Sequence, residues 1–179
     1  VTAAEILFFG FFLLFSILLL FWMVSSFVGF WFTRVPFVPT AGRDLLLITE
    51  RVALSANDVI YDLGSGNGKV VFALERLTGA QAVGFESTLW AHWYAQLKKL
   101  FINSRARFVL GNFFKRDWSG ATVIYCYLYP PLMPQVGEKI SRECKPGTRV
   151  IVRDFPIPNL RQTGRFRTYG KHEVFVYTL

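Results

Sequence analysis

A short β-branched run, Val59-Ile60, leads into Tyr61-Asp62-Leu63-Gly64-Ser65-Gly66-Asn67-Gly68, and an apolar-periodic helix starts at once through Val70, Val71, Leu74 and Leu77. Strand, glycine turn and helix in that order build the cradle of a nucleotide-binding α/β unit. Glycines let the backbone approach a ligand with no Cβ in the way, and the new helix points unpaired N–H groups at whatever sits there. The spacing narrows the ligand. A dinucleotide fingerprint needs a third glycine where Lys69 stands, and a phosphate-binding P-loop needs Ser or Thr where Val70 follows Lys69. What remains is an acid on the strand followed by three alternating glycines, Asp62, Gly64, Gly66 and Gly68, with Ser65 inside the turn. Glu86 ends a second short strand over residues 81–85, where its carboxylate can accept two hydrogen bonds from ribose hydroxyls.

Residues 6–32 contain no charge. As a helix this run reaches roughly 40 Å, against a hydrocarbon core of about 30 Å, so it predicts one membrane span with tilt. A cleaved signal peptide fits less well, because its apolar region is shorter and follows a basic stretch, whereas Glu5 precedes this one. A buried core helix fits least, since nothing polar interrupts either face. All 20 Lys and Arg lie from Arg34 onward, against 11 of the 12 acids, giving that part a net charge of +9. Positive charge directly after the span places the globular part on the cytoplasmic side, or on the matrix side in an organelle. Anionic lipid headgroups account for the basic balance better than nucleic acid does, because the anchor already holds this surface at a membrane. Cys126 and Cys144 form neither ligand spacing nor a disulfide framework, and no His/Cys cluster predicts a metal.

Three regions follow: an anchor over residues 1–33, a proline-containing segment with a covering helix over 34–57, and a nucleotide-binding domain over 58–179. In the second, Pro36 and Pro39 hold the chain extended, and Thr40 caps a helix predicted over 41–54. After Glu86, Leu89, Trp93, Leu97, Leu100 and Phe101 recur at three- and four-residue steps. That is the spacing of a stripe packed on a sheet, with Lys98 and Lys99 toward solvent. His92 reads as a helix residue without a chemical role. Further strands are expected over 105–110, 121–127 and 148–153, with a helix over 135–142 between the last two. A terminal hairpin over 165–169 and 172–178 closes the chain. The class is therefore α/β, a mainly parallel Rossmann-like sheet with a C-terminal antiparallel hairpin, preceded by one transmembrane helix.

The glycine turn with its following acid resembles motif I and the acidic position of class I S-adenosylmethionine methyltransferases. That resemblance implies a cofactor site in which Gly64 and Gly66 approach the methionine part and Glu86 takes the ribose. Asn112 and Phe113 would flank the adenine, and Asp62 would hold the loop or face the cofactor's amino group. Methyltransferases acting on planar amino groups carry Asp or Asn before Pro-Pro after the fourth strand; here Tyr129 precedes Pro130-Pro131, and an aromatic residue suits an aliphatic amine held over a ring face. The anchor, Val35-Pro36-Phe37-Val38-Pro39-Thr40, Gly84-Phe85-Glu86 and Arg153-Asp154-Phe155-Pro156-Ile157-Pro158 together resemble the small membrane-tethered protein lysine methyltransferases. These include the mitochondrial enzymes acting on the adenine nucleotide translocator and on the membrane rotor protein of the ATP synthase. By that resemblance the acceptor is a lysine of a membrane protein, and Phe37, Tyr129 and Phe155 meet around the methyl group, with Asp154 nearest to assist proton loss. Methylation of a lipid or small-molecule amine at the membrane, and a non-catalytic cofactor-binding module, remain the alternatives.

Overall fold

The computed structural model describes residues 2–33 and 42–179, with side chains over 2–27 and 42–179. Seven strands form one sheet: β1 (Val59–Leu63), β2 (Gln81–Glu86), β3 (Arg107–Leu110), β4 (Val123–Cys126), β5 (Arg149–Arg153), β6 (Gln162–Arg167) and β7 (Glu173–Thr178). Their spatial order is β3-β2-β1-β4-β5-β7-β6. The first five run parallel, and β7 joins β5 antiparallel with β6 outside it. Strand order reverses between β1 and β4, and in open α/β sheets ligands bind beyond the carboxyl ends of the strands at that point. The class expected from the sequence is the class observed.

Among the described residues five α-helices accompany the sheet: α1 (Ala3–Thr33), α2 (Gly42–Arg51), α3 (Lys69–Thr78), α4 (Leu89–Phe101) and α5 (Met133–Glu143). On one face α2 and α3 bury Leu45, Ile48 and Leu74 against Ile60, Val123, Tyr125 and Ile151. On the other, α5 brings Met133, Val136 and Ile140 onto Leu63, Ile124 and Val150. Phe113 and Trp118 fill the space beside α5. Between β3 and β4 there is a single 3₁₀ turn, Phe113–Lys115, and β5 reaches β6 with no helix, so the last crossover helix of the fold class is absent.

Helix α4 is turned the opposite way from the sequence expectation. Its sheet side consists of Ala91, His92 and Ala95, which are buried, while Leu89, Trp93, Leu97, Leu100 and Phe101 are exposed. Lys98, expected in solvent, lies half-buried with its ammonium 5.4 Å from the Phe72 ring centroid. Small residues win the inner face because Phe72 of α3 and Phe108 of β3, in contact edge to face at 5.1 Å, already fill the space there. The same crowding fixes Gly68. Its φ is +77°, and a Cβ there would stand 2.6 Å from the Phe108 ring. Gly68→Ala is therefore expected to cost about 2–4 kcal/mol, combining left-handed strain with overpacking, as read by chemical denaturation. A change below about 0.5 kcal/mol would contradict this packing.

Among the described residues α1 is the one helix long and apolar enough to cross a membrane, over Ala3–Phe27. It does not stand apart from the domain. Trp90 of α4 donates its backbone N–H to Ser25 Oγ at 3.2 Å, and the Trp22 and Trp90 rings lie 6.3 Å apart.

Candidate active site

At the switch point the glycine turn is folded back on β2. Gly64 and Ser65 both donate their N–H to the carbonyl of Phe85, at 3.0 and 2.9 Å, and Gly68 donates to Ser65 at 3.0 Å. Gly64, Gly66 and Gly68 all have positive φ, a conformation glycine adopts without the strain a side chain would bring. Ser65 is placed differently from the glycines. Its side chain packs under the turn against Gly84, where a Cβ would come within 2.5 Å of Ser65 Oγ, so Ser65 shapes the loop from below.

Glu86 clamps this loop. Oε2 accepts the Gly66 N–H at 2.7 Å and Oε1 accepts the Thr88 N–H at 2.7 Å, tying the glycine turn to the start of α4. A carboxylate carries about four acceptor positions, so two stay available to ribose hydroxyls. Asp62 stands one strand over, in register with Gly84 and Tyr125. Its Oδ2 is buried without a hydrogen-bond partner. Burial, reinforced by the Glu86 charge, pushes the Asp62 carboxyl up to about 8. A buried carboxyl with an orphaned oxygen fits a cationic group docking on it, as the ammonium and sulfonium of S-adenosylmethionine would. Asn112 caps the turn after β3, its Oδ1 accepting the Phe114 N–H at 2.8 Å. The Phe113 ring is buried against Phe114, 4.5 Å between centroids. The residues present thus fit the expected cofactor: a glycine cradle, a carboxylate for the ribose and a buried acid for the amino group.

Beyond β4 and β5 lies a second cluster. Phe155, partly exposed, stacks on Tyr127 at 6.3 Å and 20° between planes, and Tyr129 is exposed in the Pro-Pro loop. Asp154 adopts φ +62°, and both its oxygens are occupied: Oδ1 accepts the Glu173 N–H at 3.0 Å and Oδ2 pairs with His172 Nδ1 at 2.8 Å. The His172 ring also lies 6.3 Å from Tyr127. Burial together with the Asp154 carboxylate raises the Tyr127 hydroxyl. Beneath these groups Arg153 is fully buried, its guanidinium 4.8 Å from the Tyr127 ring centroid and its Nη2 3.5 Å from Asp44 Oδ2. Asp44 in turn accepts the Gly170 N–H at 3.1 Å, so the first turn of α2 is pinned to the carboxyl end of β5. Phe37 and the segment 36–40 that leads into α2 lie outside the described residues.

The sequence gives no role to His172, and to Arg153 only a place at the head of the segment Arg153-Asp154-Phe155-Pro156-Ile157-Pro158. His172 reaches Asp154 only because β7 pairs antiparallel with β5, which sets Arg153 opposite Val174 and brings the β7 start to the β5 end.

Residues 62–164 match the ANTKMT methyltransferase domain. This chain belongs to that family. A protein of Saccharolobus islandicus named protein-lysine N-methyltransferase is 35% identical over 127 residues, 69% of this chain and 79% of that one. A lysine N-methyltransferase of Xenopus laevis, named for the c-type subunit of the ATP synthase, is 29% identical over 127 residues, 70% of this chain but 55% of its own. This family member therefore spans about half the length of that vertebrate relative. Among solved structures, an RNA methyltransferase from Salinibacter ruber in complex with S-adenosyl-L-homocysteine superposes with a TM-score of 0.73 at 29% identity, covering 79% of this chain and 93% of that one. The fold, the cradle and these relatives identify the family member as an S-adenosylmethionine-dependent methyltransferase.

Proposed function

We propose that the protein methylates the ε-amine of a lysine in a membrane protein, held by α1 in the bilayer with its catalytic domain on the cytoplasmic or matrix side. The observation that carries this reading is the aromatic pair of Tyr127 on Phe155, beyond a loop that has Tyr129 and no carboxylate or amide ahead of Pro130-Pro131. A planar amino group needs such an oxygen to fix its plane, whereas an alkyl ammonium is held over ring faces and desolvated there. The names of the Saccharolobus islandicus and Xenopus laevis relatives support the same acceptor. The uncharged length of α1 and the positive charge from Arg34 onward support the anchor and its orientation.

When bound, the cofactor supplies a methyl group already activated on a sulfonium. The residues of the chain then have three tasks. Asp62, Glu86 and the glycines hold the cofactor, with Asn112 and Phe113 beside the adenine; the aromatic pair, which we extend to Tyr129 and Phe37, aligns the amine; and the ammonium proton must leave before nitrogen can attack the methyl carbon. We assign that proton to His172 Nε2, with Asp154 orienting the ring through Nδ1. His172→Ala is expected to lower kcat by about a hundredfold with cofactor affinity unchanged. The deficit should shrink toward high pH, where the amine arrives unprotonated. A deficit constant across pH would reduce His172 to a structural role.

Fractionation tests the acceptor class. Membranes incubated with the full-length protein and methyl-labelled cofactor should carry label in protein; label in extracted lipid or in added RNA would replace this reading with another acceptor.

A further inference from the structure

We infer that α4 is a second membrane contact, lying flat in the interfacial layer of the bilayer beside the point where α1 leaves it. The inference rests on the proposal that α1 spans. Its starting observation is the inverted orientation of α4. Leu89, Trp93, Tyr94, Leu97, Leu100 and Phe101 cover one broad arc of the helix and face outward, Leu100 and Phe101 being 76% and 82% exposed. In a soluble domain such side chains would line the sheet, but here alanines do so. At 13 residues α4 is too short to cross, reaching about 20 Å against a core of about 30 Å, so its apolar arc meets lipid by lying in the plane.

The contact with α1 selects lipid as the occupant. Trp90, on the same arc, packs against Trp22 and Ser25. The uncharged run continues to Phe32, but the 20 residues from Ile6 to Ser25 already reach about 30 Å as a helix, the thickness of the hydrocarbon core. At a rise of about 1.5 Å per residue, α4 therefore meets α1 within a few ångströms of the level where the span leaves hydrocarbon. Tryptophans concentrate at that level, and Trp22, Trp90 and Trp93 gather there. The outward arc is thus continuous with a helix surface that lipid already covers. Cations border it: from Lys98 a cleft of about 930 Å³ opens between α3 and α4, lined by Lys69, Arg76 and Arg105 along with Glu75. Its net positive charge suits anionic headgroups. Docked this way, the sheet has one fixed tilt against the bilayer, and the acceptor cluster at its carboxyl edge stands at a fixed height above the membrane.

The test places single fluorophores on the full-length protein in protein-free vesicles of phosphatidylcholine and phosphatidylglycerol. Leu100→Cys reports α4, Leu14→Cys reports α1, and Gln162→Cys reports the far sheet edge, all in a Cys144→Ser background, with cofactor affinity certifying each fold. Lipid-borne nitroxides should quench the labels at Leu100 and Leu14, and only an aqueous quencher should reach the label at Gln162. Quenching at Leu14 but not Leu100 overturns the α4 contact and leaves the span standing. No lipid quenching at Leu14 removes the span and the inference together. Shielding at Leu100 that appears only after membrane proteins are added also overturns it, in favour of a protein partner.

Discussion

Glu86→Ala is expected to weaken S-adenosylmethionine binding by about a hundredfold or more. Two charge-assisted hydrogen bonds to the ribose disappear, each worth about 1.5–3 kcal/mol. The structure adds a second loss, because the same carboxylate ties Gly66 to Thr88 across the mouth of the cradle. Without it the glycine turn is held to β2 only by the N–H groups of Gly64 and Ser65 on Phe85. Calorimetric titration reads the affinity. Glu86→Gln, which keeps one carbonyl acceptor, should fall between the two. An alanine variant that binds within about threefold of the parent would remove the ribose assignment, since even one lost charged hydrogen bond exceeds that.

Asp62→Asn is expected to act in opposite directions on stability and on binding. The folded Asp62 carboxyl titrates near 8, whereas the unfolded one does so at the ordinary value of 3.8. Between those pH values the unfolded chain has released the proton that the cofactor-free fold retains, so stability falls as pH rises, by at most about 1.4 kcal/mol per unit. The cost is absent below both values and complete above the folded one. Asparagine carries no such cost. The variant should therefore unfold at higher temperature than the parent at pH 7, and the difference should vanish as the pH falls below 3.8. It should bind cofactor more weakly, because the buried partner of the cofactor's amino group has gone. In the parent, docking of a cation on Asp62 expels the proton below pH 8, so affinity rises with pH up to that point. Titrations in two buffers of different ionisation enthalpy would detect the released proton. Equal thermal stability of parent and variant at pH 7 would contradict the buried, protonated state of Asp62.

The parts of this molecule legible in the sequence are those set by local order. Asp62, the three glycines and Glu86 stand on one strand, one turn and the next strand end, so a spacing argument reaches them. The strand sequence and terminal hairpin follow from apolar runs and turn residues in the same way. Periodicity alone does not say which partner a helix face meets, and α4 shows the consequence: its apolar stripe was plain, yet it faces outward. The discriminating signal was the pair Ala91 and Ala95 on the opposite face, small enough for close approach to a layer already crowded by Phe72 of α3 and Phe108 of β3. Long-range pairs were out of reach. His172 meets Asp154 through strand pairing, and Arg153 meets Asp44 across 109 residues. An arginine at a strand end reads as a solvent-facing charge until α2 is seen to cover it. Ser65 shares a turn with the cradle glycines, but only the packing against Gly84 reveals which way its side chain points.

The central claim, transfer to lysine, is tested most directly by amino-acid analysis of the labelled protein fraction. Full-length protein, membranes and methyl-labelled cofactor should yield label that co-elutes with methylated lysine after acid hydrolysis, absent with Glu86→Ala and strongly reduced with His172→Ala near neutral pH. Label recovered as methylated arginine or histidine, or lost to alkali as an ester, would contradict it.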